Sequence, residues 1–216
     1  MNNFDEIALS YHNSIRKLPE KYIDLVLENF NLEETSNILD VGCGSGTLTI
    51  PLSYVSPKID AIDLSKKMID IGKHNDKSEK ISWILGDAES QNFPKNYYDL
   101  VIGFESMHLF QNAKTTIEKL IDSIQNNGFI CLGYAVYNWE KFLYKDIICE
   151  LIREQINIDE WFFQCFSDFE NLILMHENMK TVYKKCIRAE EKWSASDIAQ
   201  FITSTSLFLS IDDSRR

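Results

Sequence analysis

The chain has 216 residues, of which 44% are hydrophobic and 25% charged, and its formal net charge is −11. This length and balance are typical of a globular protein that can bury a core, so we expect residues 1–216 to form a single domain. A protein this acidic repels a phosphate backbone, which disfavours a nucleic-acid substrate and favours a small-molecule partner.

Five cysteines are scattered along the chain, and no two of them form a C-x-x-C pair. This pattern argues against a disulfide framework and against a zinc site, so no bound metal is expected. The first residues carry neither the basic nor the apolar segment of a signal peptide, and no apolar run has the length of a membrane span. We therefore expect a cytoplasmic protein without a membrane partner, present as a monomer or a homodimer.

The first part of the chain, residues 1–34, is predicted to be a short amphipathic arm followed by a helix. Residues 1–17 are polar with isolated aromatic side chains, among them Phe4 and Tyr11. Residues 19–30 begin with a proline and carry apolar residues at helical spacing, which indicates a helix.

The stretch from Ile38 to Thr47 combines a short apolar run, an acidic residue and three glycines at every second position. It predicts a buried strand, a tight turn and the start of a helix. Glycine allows a positive φ and has no Cβ, so a ligand could lie directly against the main chain. The dinucleotide fingerprint G-x-G-x-x-G would need a glycine at Thr47, which disfavours a nicotinamide-dependent oxidoreductase without excluding it.

A second apolar strand, residues 58–63, also ends in an acid, Asp63. Doubly wound folds place a ribose-binding acid about 20 residues beyond the glycine turn, which is close to the position of Asp63. The two acceptor oxygens of a carboxylate suit the two vicinal hydroxyls of a ribose. A short or kinked helix is expected over residues 47–55, since Pro51 interrupts it, and Ser65 is expected to cap a helix over residues 65–74.

Asp40 to Gly46 match in full the motif D/E-x-G-x-G-x-G of class I S-adenosylmethionine-dependent methyltransferases, which this chain resembles. The resemblance implies a Rossmann-like α/β fold: a doubly wound, mostly parallel sheet in strand order 3-2-1-4-5. It also implies S-adenosyl-L-methionine as the cofactor. The residues to which it gives a cofactor-binding role in this part of the chain are Asp40, Gly42, Gly44, Gly46, Asp63 and Leu64.

A third strand over residues 81–85 is followed by Gly86-Asp87-Ala88-Glu89. An acidic residue in a loop is usually just solvated. In the family, however, an acid at this place accepts a hydrogen bond from the adenine amino group, and the next backbone amide meets the ring. The resemblance therefore gives Asp87 and Ala88 a cofactor-binding role.

The segment from Gly103 to Phe110 follows a fourth strand that begins at Tyr98. It lacks the D/N-P-P-Y motif of enzymes that methylate base or amide nitrogens. It resembles the A-F-H-W-F segment of the trans-aconitate methyltransferase-like small-molecule group, which implies a cofactor contact for Phe104 and a catalytic or substrate contact for His108. A single histidine is more often a structural residue whose hydrogen bonds are satisfied.

The opening Phe4-Asp5-x-x-Ala8-x-x-Tyr11 resembles the F-D-x-x-A-x-x-Y opening of the same group. There the arm folds over the cofactor and the tyrosine faces the active site. The resemblance therefore makes Tyr11 a second catalytic candidate beside His108. An arm that only packs remains the alternative.

The rest of the chain completes the predicted domain, whose cofactor-binding core is residues 35–136. A helix over residues 113–125 is expected to end at Asn127-Gly128 and to be followed by a fifth strand over residues 129–135. Two apolar-rich helices over residues 137–179 are too long for a loop and predict a helical cap over the substrate side. A last strand over 181–189 and a helix opening at Trp193 would fill residues 180–216, with no convincing seventh strand.

The predicted reaction is transfer of a methyl group from S-adenosyl-L-methionine to a small-molecule acceptor: a carboxylate, a hydroxyl or an amine. His108 and Tyr11 are the candidates for a base if the acceptor must lose a proton. Two alternatives stay open at this point. One is a non-catalytic S-adenosylmethionine-binding protein, and the other is the disfavoured oxidoreductase.

Overall fold

The computed structural model describes residues 4–13, 20–30, 32–33, 36–55, 58–134, 171–177, 179, 194 and 196–197. Its elements in chain order are α1 (Phe4–Asn13), α2 (Glu20–Asn29), β1 (Asn37–Val41), α3 (Thr49–Leu52), β2 (Lys58–Asp63), α4 (Lys66–Asn75), β3 (Ile81–Leu85), β4 (Tyr98–Phe104), a 3-10 turn (Met107–Leu109), α5 (Ala113–Ser123) and β5 (Ile124–Gly133).

The five strands form one parallel sheet in the order β3-β2-β1-β4-β5, which confirms the predicted topology. The register pairs Val41 with Ile62 and Asp63 with Leu85, so the carboxyl ends of β1, β2 and β3 lie at the same edge. The chain order reverses between β1 and β4. In such sheets ligands bind outside the carboxyl ends of the strands at this reversal, so the glycine turn after β1 lies where a ligand is expected.

Helices cover both faces of the sheet and bury the central strands, as parallel sheets require. Along β4, Leu100 and Ile102 face the side of the sheet that packs with Val26 of α2 and Leu52 of α3. Val101 faces the opposite side, which packs against α5. This alternation explains why β4 is apolar at nearly every position.

The predicted boundary between α5 and β5 was wrong. The helix ends at Ser123, and Ile124 is already extended and pairs with Tyr98. The register shifts between Tyr98 and Leu100, so residues predicted as a helix cap lie inside an irregular part of the strand. A Cβ on Gly128 would meet the backbone oxygens of β4 at 2.9–3.0 Å, so this glycine is needed for close strand approach rather than for a helix end.

The other boundaries of the core differ little from the predictions. The helix expected over residues 47–55 is only the four residues of α3, as the interior proline suggested. Ser65 is the N-cap of α4, and its side chain accepts a hydrogen bond from the amide of Met68. The arm forms the helix α1.

Little of the predicted cap and last strand falls on described residues. Leu172, Ile173 and Met179 pack against the core beside α5. Ser194 and Asp197 cap each other reciprocally, with N–O distances of 2.7 and 3.2 Å, at the predicted start of the last helix. The strand over residues 181–189 and most of the cap over 137–179 lie outside the described residues. None of the helices in the described ranges is long and apolar enough to cross a membrane.

Candidate active site

The turn after β1 is built from backbone hydrogen bonds and left-handed glycines. Gly42, Gly44 and Gly46 have φ values of 72°, 54° and 85°. The amides of Gly42 and Cys43 both donate to the carbonyl of Ile62, at 2.8 and 3.1 Å. These bonds fasten the turn to the end of β2, so the ends of the two strands form one rigid platform.

The three glycines of this turn have different surroundings, and only one faces open space. A Cβ on Gly42 would lie 2.3 Å from the Cβ of Ser106, and one on Gly46 would lie 2.5 Å from the ring of Trp83. A Cβ on Gly44 would meet nothing within 4 Å. The absence of a Cβ at Gly42 and Gly46 therefore makes room for the protein itself, whereas at Gly44 it leaves open space beside the turn. The cofactor-binding roles of all three glycines stay predictions.

Asp63 links the end of β2 to this turn. Its Oδ2 accepts from the amide of Gly44 and its Oδ1 from the amide of Ser65, both at 2.8 Å. A carboxylate offers about four acceptor positions, so each oxygen can still accept from a ligand hydroxyl. Burial raises the pKa of Asp63, while the two amide bonds favour the ionised form and oppose that rise.

Asp40 is buried within β1, beneath the turn. The hydroxyl of Thr49 donates to its Oδ2 at 2.6 Å. Burial raises the pKa of Asp40 to about 7, and the nearby charge of Asp63 adds to this rise. A carboxyl with this pKa changes its charge near neutral pH, so the electrostatic field beneath the turn depends on pH.

The loop after β3 forms the next wall of the crevice. Oδ1 of Asp87 accepts from the amide of Glu89 at 2.9 Å, which shapes the loop, and Ala88 is buried beside it. Leu64, directly after Asp63, is 56% exposed. An exposed apolar side chain beside Asp63 is suited to contact a flat ring.

Glu89 has a role that the sequence interpretation missed. Its carboxylate accepts from the amides of Gln111 and Asn112, at 3.1 and 2.5 Å, just before α5 begins. Its own carbonyl accepts from the ammonium of Lys119. The loop that holds Asp87 is thereby fixed to the start of α5. An acid suits such a position, but its partners lie too far along the chain for a local pattern to identify them.

The residues after β4 lie on the other side of the reversal. The hydroxyl of Ser106 donates to the carbonyl of Val41 at 2.7 Å, in the space left by Gly42. Glu105 has a φ of 56° and its amide donates to the carbonyl of Gly133 at 2.9 Å.

The ring of Phe104, the last residue of β4, packs on Tyr22 with 4.7 Å between ring centroids. The side chain of Phe104 is therefore part of the core, and a cofactor contact there would have to use its backbone.

His108 lies on the 3-10 turn that directly follows. Its ring is half-buried, and its Nδ1 is shielded from solvent. The preceding Met107 is buried in the core. The structure thus places His108 a short distance along the chain from the strand end, on a backbone that the core holds in position.

The N-terminal helix contacts the platform directly. Asp5 accepts from the hydroxyl of Ser65 at 2.6 Å, and His12 lies 2.9 Å from the hydroxyl of Ser45 in the glycine turn. Tyr11, the predicted catalytic residue of this helix, is half-buried with its ring edge-on to Phe4. The sequence interpretation singled out Tyr11 and gave no role to Asp5 or His12.

Comparisons with known proteins agree with this geometry. Residues 38–128 match the family model described as a methyltransferase domain. The chain is similar to a malonyl-[acyl-carrier protein] O-methyltransferase of Priestia megaterium, with 33% identity over 129 residues that cover 59% of this chain and 46% of that protein. A ubiquinone biosynthesis O-methyltransferase of Pelagibacter ubique is 23% identical over 161 residues, covering 73% of this chain and 65% of that protein. The chain spans about half the length of the first relative and less than two-thirds of the second.

Among solved structures, a proposed S-adenosyl-L-methionine-dependent methyltransferase of Methanococcus maripaludis is similar to this chain. The TM-score is 0.59, with 22% identity over 80% of this chain and 83% of that one. At this identity the similarity shows the fold, which is the Rossmann-like methyltransferase fold. The motif from Asp40 to Gly46, the sheet order and the match of residues 38–128 to a methyltransferase domain model all agree with this fold.

Proposed function

We propose that the protein transfers the methyl group of S-adenosyl-L-methionine to a small-molecule acceptor. The observation that carries this proposal is the open space at Gly44, whose amide is held by Asp63 at the reversal of the sheet. A ligand at that place can lie against the main chain of the turn and still reach the free acceptor positions of the Asp63 carboxylate. This combination suits a nucleoside with a ribose diol.

The proposed pose of the cofactor follows from the crevice walls. Asp63 accepts from the ribose hydroxyls, and Leu64 with the Asp87–Ala88 loop contacts the adenine. The turn from Gly42 to Gly46 carries the methionine part, above Asp40. The sulfonium methyl then points toward the residues after β4.

Alignment supplies most of the proposed catalysis, because the methyl group of a sulfonium is already activated. Holding the nucleophile, the methyl carbon and the sulfur in line can contribute about 7–11 kcal/mol in favourable cases. His108 is the proposed base for an acceptor that must lose a proton, with Tyr11 as the other candidate. A carboxylate acceptor needs no base, and His108 would then orient it.

An oxygen atom is the first acceptor to test. Both relatives described above are named as O-methyltransferases, one of a malonyl-acyl carrier protein and one of ubiquinone biosynthesis. The resemblance of the 103–110 segment to the trans-aconitate methyltransferase-like group, whose named substrate is a carboxylic acid, also supports an oxygen acceptor. The formal charge of −11 adds a reason to place nucleic acids last.

The test begins with calorimetry of the full chain against S-adenosyl-L-methionine, S-adenosyl-L-homocysteine and NAD. We expect binding of the first two only. Asp63→Ala should weaken that binding by about a hundredfold or more, because hydrogen bonds to a charged group contribute about 1.5–3 kcal/mol each. Asp70→Ala is the matched control, since it removes an exposed carboxylate of α4 whose ion pair with Lys66 contributes little.

Methyl transfer to a panel of carboxylic acids, phenols and amines then separates an enzyme from a protein that only binds the cofactor. Product should form with at least one oxygen acceptor. Binding of S-adenosyl-L-methionine without transfer to any member of a broad panel would favour the non-catalytic alternative. Binding of NAD in its place would overturn the proposal.

A further inference from the structure

We infer that Asp5 and His12 of α1 are positioning residues, which hold the cofactor platform in its binding geometry from outside the crevice. The inference rests on the proposed function for its ligand. Its geometry comes from contacts that join α1 to Ser45 in the glycine turn and to Ser65, two residues after Asp63. Neither residue is proposed to touch the reacting atoms.

The first contact is made at the N-terminal end of α1. Oδ1 of Asp5 accepts from the hydroxyl of Ser65 at 2.6 Å and from the amide of Lys67 at 3.0 Å. Both donors lie at the start of α4, where a negative charge is stabilised by the free amides. These two bonds lower the pKa of Asp5, so the residue is ionised at neutral pH.

Ser65 transmits this contact to the crevice. Its amide donates to Oδ1 of Asp63, and the other oxygen of Asp63 accepts from the amide of Gly44. A continuous chain of hydrogen bonds therefore runs from α1 to the one glycine that faces open space. Moving Asp5 would free the Ser65 hydroxyl, whose present orientation also caps α4 through the amide of Met68.

The second contact is made at the other end of α1. Nδ1 of His12 lies 2.9 Å from the hydroxyl of Ser45, and Nε2 lies 3.3 Å from the side-chain nitrogen of Asn75. The imidazole of His12 can thus bond the Ser45 hydroxyl with one ring nitrogen and the Asn75 amide group with the other. Ser45 is buried in the turn, directly after Gly44. The two ends of α1 thus reach neighbouring residues of the turn: Gly44 through Ser65 and Asp63, and Ser45 through His12.

The helix is held in place by packing that is separate from these polar contacts. Ile7 and Ala8, in the middle of α1, are buried, whereas Leu9 and Ser10 face solvent. Removing a polar contact at one end should therefore leave α1 docked while loosening the residue it holds. Since binding linkage is reciprocal, a cofactor that fixes the platform should also strengthen these contacts.

The experiment compares single substitutions in the full chain by calorimetry with S-adenosyl-L-homocysteine. Asp5→Ala and His12→Ala should each raise the dissociation constant about tenfold, which corresponds to about 1.4 kcal/mol. Asp5→Asn keeps an oxygen that can accept from Ser65 and Lys67, so it should restore most of the affinity. Ser10→Ala, an exposed substitution on the same helix, should bind like the wild type.

Amide hydrogen exchange of the ligand-free proteins gives a reading that does not depend on the cofactor. Exchange at residues 42–46 and 64–68 should become faster in Asp5→Ala and His12→Ala, and should stay unchanged in Ser10→Ala and in Asp5→Asn. If the wild type binds the cofactor and both alanine variants bind and exchange like it, the positioning role is wrong. If the wild type does not bind, the proposed function fails, and the exchange data still decide whether α1 holds the platform.

Discussion

The carboxyl edge of the sheet has two halves that are built differently. The cofactor half, at the ends of β1, β2 and β3, is a network of backbone amides, left-handed glycines and buried carboxylates. The proposed acceptor half, at the ends of β4 and β5, presents side chains such as His108 from a 3-10 turn, which lies on a backbone packed against the core. Under the proposed function, the first half holds the cofactor mainly through the main chain, whereas the second meets the acceptor with side chains.

This difference separates binding from chemistry, so substitutions in the two halves should have different effects. A change in the cofactor half should alter the affinity for S-adenosyl-L-methionine. A change in the acceptor half should alter turnover at nearly constant affinity. A residue whose substitution changes the cofactor affinity and turnover equally would argue against this division of the edge into two halves.

The substitution His108→Ala, in the acceptor half, should have the largest effect of those predicted here, and the quantity it should change is turnover. If His108 is a general base, turnover should fall by about 10²–10⁴-fold, while the dissociation constant of S-adenosyl-L-methionine stays the same. The rate of the wild type should rise with pH through the pKa of the histidine, since a base must first lose its proton. Steady-state rates with an acceptor from the panel, measured between pH 5 and pH 9, provide the check.

His74→Ala is the control for this experiment, because that histidine is exposed in the last turn of α4. A rate that falls with rising pH would instead favour a protonated histidine that orients a carboxylate acceptor. Full activity of His108→Ala at every pH would reduce His108 to a structural residue.

The same contrast explains what the sequence could and could not reveal. The cofactor half depends on glycines directly after β1 and on acids at or near the ends of β1, β2 and β3, so local motifs predict both the turn and the ends of these strands. Contacts such as Asp5 with Ser65, or Glu89 with Asn112, join residues far apart in the chain and leave no local pattern. The end of α5 was mispredicted for a similar reason.

Position 128 needs a glycine because the chain there passes close to the backbone of β4, and not because a helix ends there. Ile124 gains more by burial against the sheet than it would in a further turn of helix, because tertiary packing overrides local propensity. The acceptor half has an additional difficulty. The type of a side chain such as His108 does not by itself tell whether the residue is catalytic or structural.

The second prediction concerns the buried carboxyl of the cofactor half. The pKa of Asp40 is raised to about 7, whereas in the unfolded chain it is near 3.9. Between these values the folded protein binds more protons than the unfolded one, so the free energy of unfolding should fall as the pH rises from about 4 to about 7. About one pH unit above 7 the loss is complete, and a difference of about three pKa units corresponds to roughly 4 kcal/mol.

Asp40→Asn tests this prediction, since the amide is neutral at every pH and its oxygen can still accept from Thr49. Urea unfolding at pH 5 and pH 8 should show a smaller difference between the two pH values than in the wild type, with the variant the more stable at pH 8. Asp70→Asn, at an exposed position on α4, should retain the wild-type difference. An unchanged pH dependence in Asp40→Asn would mean that Asp40 is ionised in the folded protein.

The last prediction separates the glycines of the turn and has the smallest effect on stability. Gly44→Ala should lower the free energy of unfolding by only about 1–2 kcal/mol, the strain of an L-residue at a left-handed φ, because its Cβ meets nothing within 4 Å. It should still weaken binding of S-adenosyl-L-methionine about tenfold or more, since the methyl group enters the space that the ligand needs. Gly42→Ala is the matched comparison: its φ is also left-handed, but its Cβ would lie 2.3 Å from that of Ser106, so its loss of stability should be clearly larger. Urea unfolding gives the free energy of unfolding of each variant, and calorimetry gives the dissociation constant of each for S-adenosyl-L-methionine. If Gly44→Ala binds like the wild type, the open space beside the turn is not where the cofactor lies, and the division between the two halves of the edge would have to be redrawn.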